Sequence, residues 1–198
     1  MKINKYLCAL AIAGACSASL SAATLSFNLV EPGVNTVNLT VSGSISSLAG
    51  WTFVTSFKTG QYPSIQPNVG TIASFGGEST DFYMTAATTP YSIGSSASIY
   101  GGNRISGDTV GFQAKQGGDS YLFLPKGYVP GTAINSSSQW IGQTFSSMGL
   151  TSGTSYSWTA GPDTIQFNVG AASIPEPSAF VMLGLGAIGL VARRRRVG

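Results

Sequence analysis

The chain has 198 residues, a formal net charge of +3, 9% charged residues and no histidine. Between Thr24 and Ser173, four basic residues (Lys58, Arg104, Lys115, Lys126) stand against six acidic ones (Glu31, Glu78, Asp81, Asp108, Asp119, Asp163), a balance of −2 with no basic patch for a phosphate backbone, so nucleic acid is not an expected partner. Both cysteines, Cys8 and Cys16, lie ahead of Thr24, so this stretch also lacks disulfides, the usual ligands of structural zinc and the usual base of a nucleophilic triad.

Residues 1–23 read as an export signal with a helical apolar core. Lys2 and Lys5 form a basic start, Leu7 to Ala15 an apolar run, and Ser19-Leu20-Ser21-Ala22-Ala23 a small-residue cleavage region, the pattern that signal peptidase reads. Cleavage after Ala23 places Ser21 and Ala23 at the two small-residue positions, whereas cleavage after Ala22 would put Leu20 at one of them. Lipid attachment at Cys16 is the rival reading. It is disfavoured because Ala13 stands where a larger aliphatic residue is wanted and the apolar run continues towards Leu20.

Residues 24–173 form one body, long enough to bury a core. Gly/Ser richness argues for disorder, but eight tyrosines and three tryptophans along the chain argue for burial. Period-two alternation dominates. Leu25-Ser26-Phe27-Asn28-Leu29, Val37-Asn38-Leu39-Thr40-Val41, Val110 to Ala114 and Ile165 to Val169 each place apolar side chains on one face. Trp51, Phe53, Thr55 and Phe57 share a face by the same rule. Weaker strands are expected at Thr71–Phe75, Asp81–Thr85, Ser120–Leu124 and Ser155–Thr159. Turn residues separate the strands, among them Glu31-Pro32-Gly33, Gly76-Gly77, Gly101-Gly102-Asn103, Gly117-Gly118-Asp119 and Gly161-Pro162-Asp163. The one helical turn expected runs from Gln143 to Met148 and ends at Gly149. These signals predict an all-β fold, an antiparallel β-sandwich or jelly roll.

Candidate chemistry in the body is sparse. Glu78 and Asp81 are the closest acid pair for glycoside hydrolysis, but Gly76-Gly77-Glu78-Ser79-Thr80-Asp81 reads as a solvated loop before a strand. Asp108, Asp119 and Asp163 are candidate calcium ligands, yet aspartate is favoured at such turns in any case. Trp51 and Trp158 fall in strand patterns and are expected in the core. Trp140 follows Ser136-Ser137-Ser138-Gln139, is expected to be exposed, and is the candidate for stacking on a sugar ring. No catalytic residue, cofactor or enzymatic activity is expected; a carbohydrate-binding module is the alternative reading.

The C-terminus, residues 174–198, is the most specific segment. Pro175-Glu176-Pro177 holds the backbone extended and removes two donors. Ala179 to Ala192 is apolar all round; as a single transmembrane helix its 14 residues span about 21 Å, short of the ~30 Å hydrocarbon core. A short span suits transient anchoring, with a permanent anchor as the alternative. Arg193, Arg194, Arg195 and Arg196 follow and are expected to stay cytoplasmic. These three parts in order resemble the bacterial PEP-CTERM sorting signal. The resemblance implies processing near Pro-Glu-Pro by a membrane-embedded exosortase and transfer to the cell surface or an exopolysaccharide matrix such as a biofilm. Tyr121 to Thr132, Thr144-Phe145 and Tyr156-Ser157-Trp158 resemble a body type recurrent among exported PEP-CTERM proteins, one that implies no enzymatic activity.

Overall fold

A computed structural model describes residues 22–33, 35–60, 62–86, 90–115 and 118–170. The export signal, the Pro-Glu-Pro motif, the apolar segment and the arginine tail lie outside the described residues. Thirteen strands follow one another: β1 (Thr24–Gly33), β2 (Thr36–Gly43), β3 (Thr52–Lys58), β4 (Ser64–Gln66), β5 (Thr71–Ser74), β6 (Ser79–Thr85), β7 (Tyr100–Gly101), β8 (Asn103–Gly107), β9 (Val110–Gln113), β10 (Ser120–Pro125), β11 (Ile134–Ile141), β12 (Thr154–Ala160) and β13 (Asp163–Val169). Among the described residues no helix is long and apolar enough to cross a membrane. The Gln143–Met148 segment makes a hydrogen-bonded turn, with the Met148 N–H donating to the Thr144 carbonyl at 3.1 Å.

The strands form two sheets, β12-β13-β1-β2-β11-β8 and β3-β6-β10-β9-β5-β4-β7. One expectation is corrected: the fold is not wholly antiparallel. The first and last strands pair in parallel, Leu25 opposite Ile165 and Leu29 opposite Val169. A parallel pair needs a long crossover rather than a hairpin, and here the whole body supplies it.

The alternation read from the sequence explains the packing. Leu25, Phe27 and Leu29 of β1, Val37, Leu39 and Val41 of β2, and Ile165, Phe167 and Val169 of β13 turn inward and are fully or almost fully buried. Ile72, Phe112, Leu122 and Leu124 of the second sheet meet them in the same cluster. Phe112 and Trp158 join the layers at 4.9 Å between ring centroids. A buried hydroxyl cluster also bridges them, Ser74 Oγ lying 2.7 Å from Ser136 Oγ and 2.6 Å from Ser138 Oγ. Among the described residues this core runs from Leu25 to Val169.

Asp163 ties the start of β1 to the sheet. It is fully buried, and its carboxylate accepts the backbone N–H groups of Ala23 (2.9 Å), Ser46 (2.9 Å) and Ser47 (3.0 Å) and the Ser46 hydroxyl. Removing such an acceptor strands several buried donors. Asp163→Ala should therefore lower the unfolding free energy of the body by about 2–5 kcal/mol, while Asp119→Ala should change it by no more than about 0.5 kcal/mol. Urea denaturation of both variants checks this; equal midpoints would remove the proposed role of Asp163.

Candidate functional site: an aromatic outer sheet face

In a two-layer sandwich the outward positions of each strand meet solvent and are ordinarily polar. The six-stranded sheet follows this rule except at Ile105 and Ile141, which are 60% and 68% exposed. Its outward positions include Ser26, Asn28, Asn38, Thr40, Ser42, Asn135, Ser137, Gln166 and Asn168. They bond to one another: Asn168 Nδ2 donates to Asn28 Oδ1 at 2.7 Å, and Ser155 Oγ donates to Asn168 Oδ1 at 2.6 Å.

The seven-stranded sheet breaks the rule. On β10, Leu122 and Leu124 point into the core, which turns Tyr121 and Phe123 outward. Register then carries the aromatic character across the sheet. Phe123 stands opposite Phe82 of β6, and Phe57 of β3 stands opposite Thr80, two residues along the same face of β6. Phe82 and Phe123 stack at 5.2 Å with their planes 21° apart. Tyr121 lies 5.0 Å from Phe82, Phe57 lies 6.0 and 6.2 Å from Phe82 and Phe123, and Phe75 lies 5.4 Å from Phe123. On the far side of Phe123 its partner in β9 is Gly111, where a Cβ would sit 2.8 Å from that of Ala73. Small residues thus leave the Phe123 and Phe75 rings room to lie along the sheet. Phe57 is 38% exposed and the other four rings are half-buried. The result is a continuous, partly solvated patch of five aromatic rings, a feature that marks interaction surfaces. Lys115 borders it, its Nζ 5.8 Å from the Tyr121 ring centroid.

The residues singled out from sequence lie elsewhere. Trp140 is a correction: it is 1% exposed, and its Nε1–H donates to the Tyr100 carbonyl at 3.0 Å. An indole so enclosed has no face to offer a sugar. The serines that suggested exposure are themselves the cause, since Ser136 and Ser138 share the inward face with Trp140 and are satisfied by Ser74. Trp51 and Trp158 are buried as expected. The face expected for Trp51 to Phe57 is also corrected. Every residue of β3 is exposed, and the register slips between Phe53 and Thr55, so Phe53 stands opposite the core residue Tyr83 while Phe57 joins the outer patch.

The acids are each held by different partners. Asp81 accepts the Ser56 hydroxyl at 2.6 Å and the Gly127 N–H at 2.8 Å; Glu78 is bound by Arg104 and Thr109. Asp108 accepts the Asn135 N–H at 2.9 Å, and Asp119 is half-buried before β10. With the oxygens of Asp163 taken by backbone donors, Asp108, Asp119 and Asp163 do not form a ligand set; among the described residues no group of three or more His, Cys, Asp or Glu is placed to hold a metal. Two open depressions, of about 510 and 400 Å³, lie beside Glu31, Phe145 and Leu150 and beside Tyr62, Arg104 and Ile105. Neither is lined by a pair of carboxylates.

The Glu78 carboxyl has a displaced titration. The Thr109 hydroxyl holds its pKa below the usual glutamate value, slight burial opposes this, and the Arg104 guanidinium lowers it further. A depressed folded-state pKa contributes stability above the unfolded value of about 4.3 that is lost as pH falls through the folded one. The group is largely exposed, so solvent screening keeps the effect under about 1 kcal/mol. Glu78→Gln should narrow the gap in Tm between pH 6 and pH 3 relative to the unaltered protein, with thermal melts at both pH values as the check.

No curated protein and no solved structure matches the chain. Residues 173–196 match the PEP-CTERM protein-sorting motif, covering the Pro-Glu-Pro triplet, the apolar segment and all four arginines. The chain therefore carries the signal of an exported protein, anchored transiently in the membrane and sorted by exosortase.

Proposed function

We propose that this protein is a non-enzymatic component of the cell surface or extracellular matrix that associates with exopolysaccharide through the outer face of its seven-stranded sheet. The supporting observation is the contrast between the two outer faces. One is a Ser/Thr/Asn/Gln array bonded within itself; the other carries Phe57, Phe75, Phe82, Tyr121 and Phe123 with their rings in mutual contact. Pyranose rings stack on such platforms because their C–H faces are apolar while their hydroxyl edges stay hydrated. The carbohydrate-binding reading thus moves from Trp140 to this face. The sorting motif supports the destination, where a polysaccharide-rich matrix is the medium encountered. The candidate acids Glu78 and Asp81 serve turn and strand contacts, which favours a binding role over hydrolysis.

Two experiments test the two halves of this reading. Mass spectrometry of the surface fraction should find the mature chain beginning at Thr24 and ending near Pro175-Glu176-Pro177, after signal peptidase and exosortase have acted. A mature protein that keeps Arg193–Arg196 would point to a permanent anchor instead. For binding, the 24–170 fragment should be retained by exopolysaccharide from the producing cells. Phe57→Ser combined with Phe82→Ser should weaken retention by about tenfold or more, the equivalent of about 1.4 kcal/mol. Should the unaltered fragment dimerise and the double variant be monomeric by sedimentation, the face would belong to self-association.

A further inference from the structure

We infer that Asp163 is the seat of the mature chain's α-ammonium, the cation that removal of the export signal creates beside a buried carboxylate. This rests on the signal removal proposed above and is independent of the carbohydrate reading. Asp163 is fully buried, and a buried carboxylate is ordinarily paired as well as hydrogen-bonded. None of the four cations of the body pairs with it. Among the described residues the only ion pair is Arg104 with Glu78; Lys115 lies against the Tyr121 ring, and Lys58 and Lys126 stand by Ser79. The uncompensated charge acts on its surroundings: burial pushes the Tyr128 phenol up and Asp163 adds to this, against backbone hydrogen bonds at Ile45 and Gly131. What Asp163 does hold is the start of the body. Its Oδ1 accepts the Ala23 N–H at 2.9 Å, and Ala23 and Thr24 flank the bond at which the small-residue rule places signal cleavage.

Cleavage there changes what faces the carboxylate. Hydrolysis of the Ala23–Thr24 peptide bond puts a water hydroxyl on the Ala23 carbonyl carbon and leaves the nitrogen on Thr24 as an amine, protonated at neutral pH. The Ala23 N–H departs with the signal, and so does the Ala23 carbonyl, which accepts the Thr164 N–H at 2.9 Å. The new ammonium nitrogen lies one residue, about 3.5 Å, along the chain from the lost donor. Thr24 stays beside the segment that Asp163 grips: its carbonyl accepts the Ser44 N–H at 3.3 Å, and Asp163 holds the N–H groups of Ser46 and Ser47. Released from the peptide plane, the nitrogen turns into the space Ala23 leaves and offers three donors and a full charge in place of one neutral N–H. Charge-assisted bonds of this kind are about twice as strong as neutral ones, and capture of a chain's amino terminus is a recurrent mode of recognition. Asp163 follows Ala23 by 140 residues, so the pair forms only when the last strand is in place. The precursor gives Asp163 an amide; the cut chain gives it an ion pair.

The test uses the mature protein recovered from the surface fraction of the producing cells, unaltered and as Asp163→Asn. Acetylation by sulfosuccinimidyl acetate at neutral pH is followed at the N-terminal peptide by mass spectrometry. It should be about tenfold slower in the unaltered protein than in Asp163→Asn, because the carboxylate favours the unreactive protonated amine. Unaltered protein acetylated at the α-amine in urea and refolded should melt at least about 3 °C below the same protein refolded without acetylation. The same treatment should leave the Tm of Asp163→Asn in place. Near-ultraviolet circular dichroism establishes that each form is folded; should Asp163→Asn not fold, the melting point of the acetylated unaltered protein decides alone. A mature chain beginning at Ala23 would put the ammonium on the nitrogen 2.9 Å from Asp163 and support the inference as well as one beginning at Thr24. Equal labelling rates and a Tm unmoved by acetylation would overturn the inference and leave signal removal standing. A mature chain that begins upstream of Ala22 would overturn it together with the expected cleavage, since the chain would then pass Asp163 as an ordinary amide.

Discussion

A two-layer sandwich has one interior and two exteriors, and this constraint governs the whole molecule. Each strand can bury one of its faces only, and the contact of Phe112 with Trp158 across the layers shows which face that is. Everything on the alternate positions must then be solvated or covered by a partner. The six-stranded sheet meets the demand with amides and hydroxyls. The seven-stranded sheet carries phenyl and phenol rings there, which burial among the described residues does not account for. The excess apolar surface lies on one flank, spread over β3, β6 and β10, and on β10 it adds to an inward face that is already apolar.

That feature was legible in part. Tyr121-Leu122-Phe123-Leu124 is apolar at every position, the pattern of a strand covered on both faces, and in a fold with only two layers it points to an external partner. Alternation located β1, β2, β9 and β13 and their inward residues because each has large apolar side chains on one phase and polar ones on the other. The same rule failed at β11, where the inward phase reads Ile134, Ser136, Ser138, Trp140. Two buried serines satisfied by Ser74, 62 and 64 residues away in sequence, look like solvent-facing residues to any local reading. It failed again at β3, where the bulge at Val54 shifts the phase midway, so Trp51 faces the core and Phe57 the outside. β4 and β7, of three and two residues, are too short for any period to show, and β8 carries a single apolar residue, Ile105, and so no alternation.

Long-range pairing explains the other miss. Nothing in the local sequence distinguishes a strand with antiparallel neighbours from one with a parallel neighbour, and β1 has one of each. The consequence is mechanical. Because β1 and β13 run the same way, the chain enters the body beside Asp163 at one pole and leaves it at Gly170, at the other, about 20 Å away at the rise of a β-strand. Asp163 fastens the entry pole by holding Ala23, Ser46 and Ser47 together. The exit pole is closed by the Gly170 N–H donating to the Leu29 carbonyl at 2.9 Å.

Sorting and binding therefore make different demands on different parts of one surface. The Pro-Glu-Pro triplet begins five residues after Gly170, a reach of at most about 18 Å. The aromatic face belongs to neither pole. It lies along a flank of the sandwich, on β3, β6 and β10. On the proposed reading, placing the rings on a sheet flank separates the binding surface from Gly170, where the described body leads on towards the sorting motif.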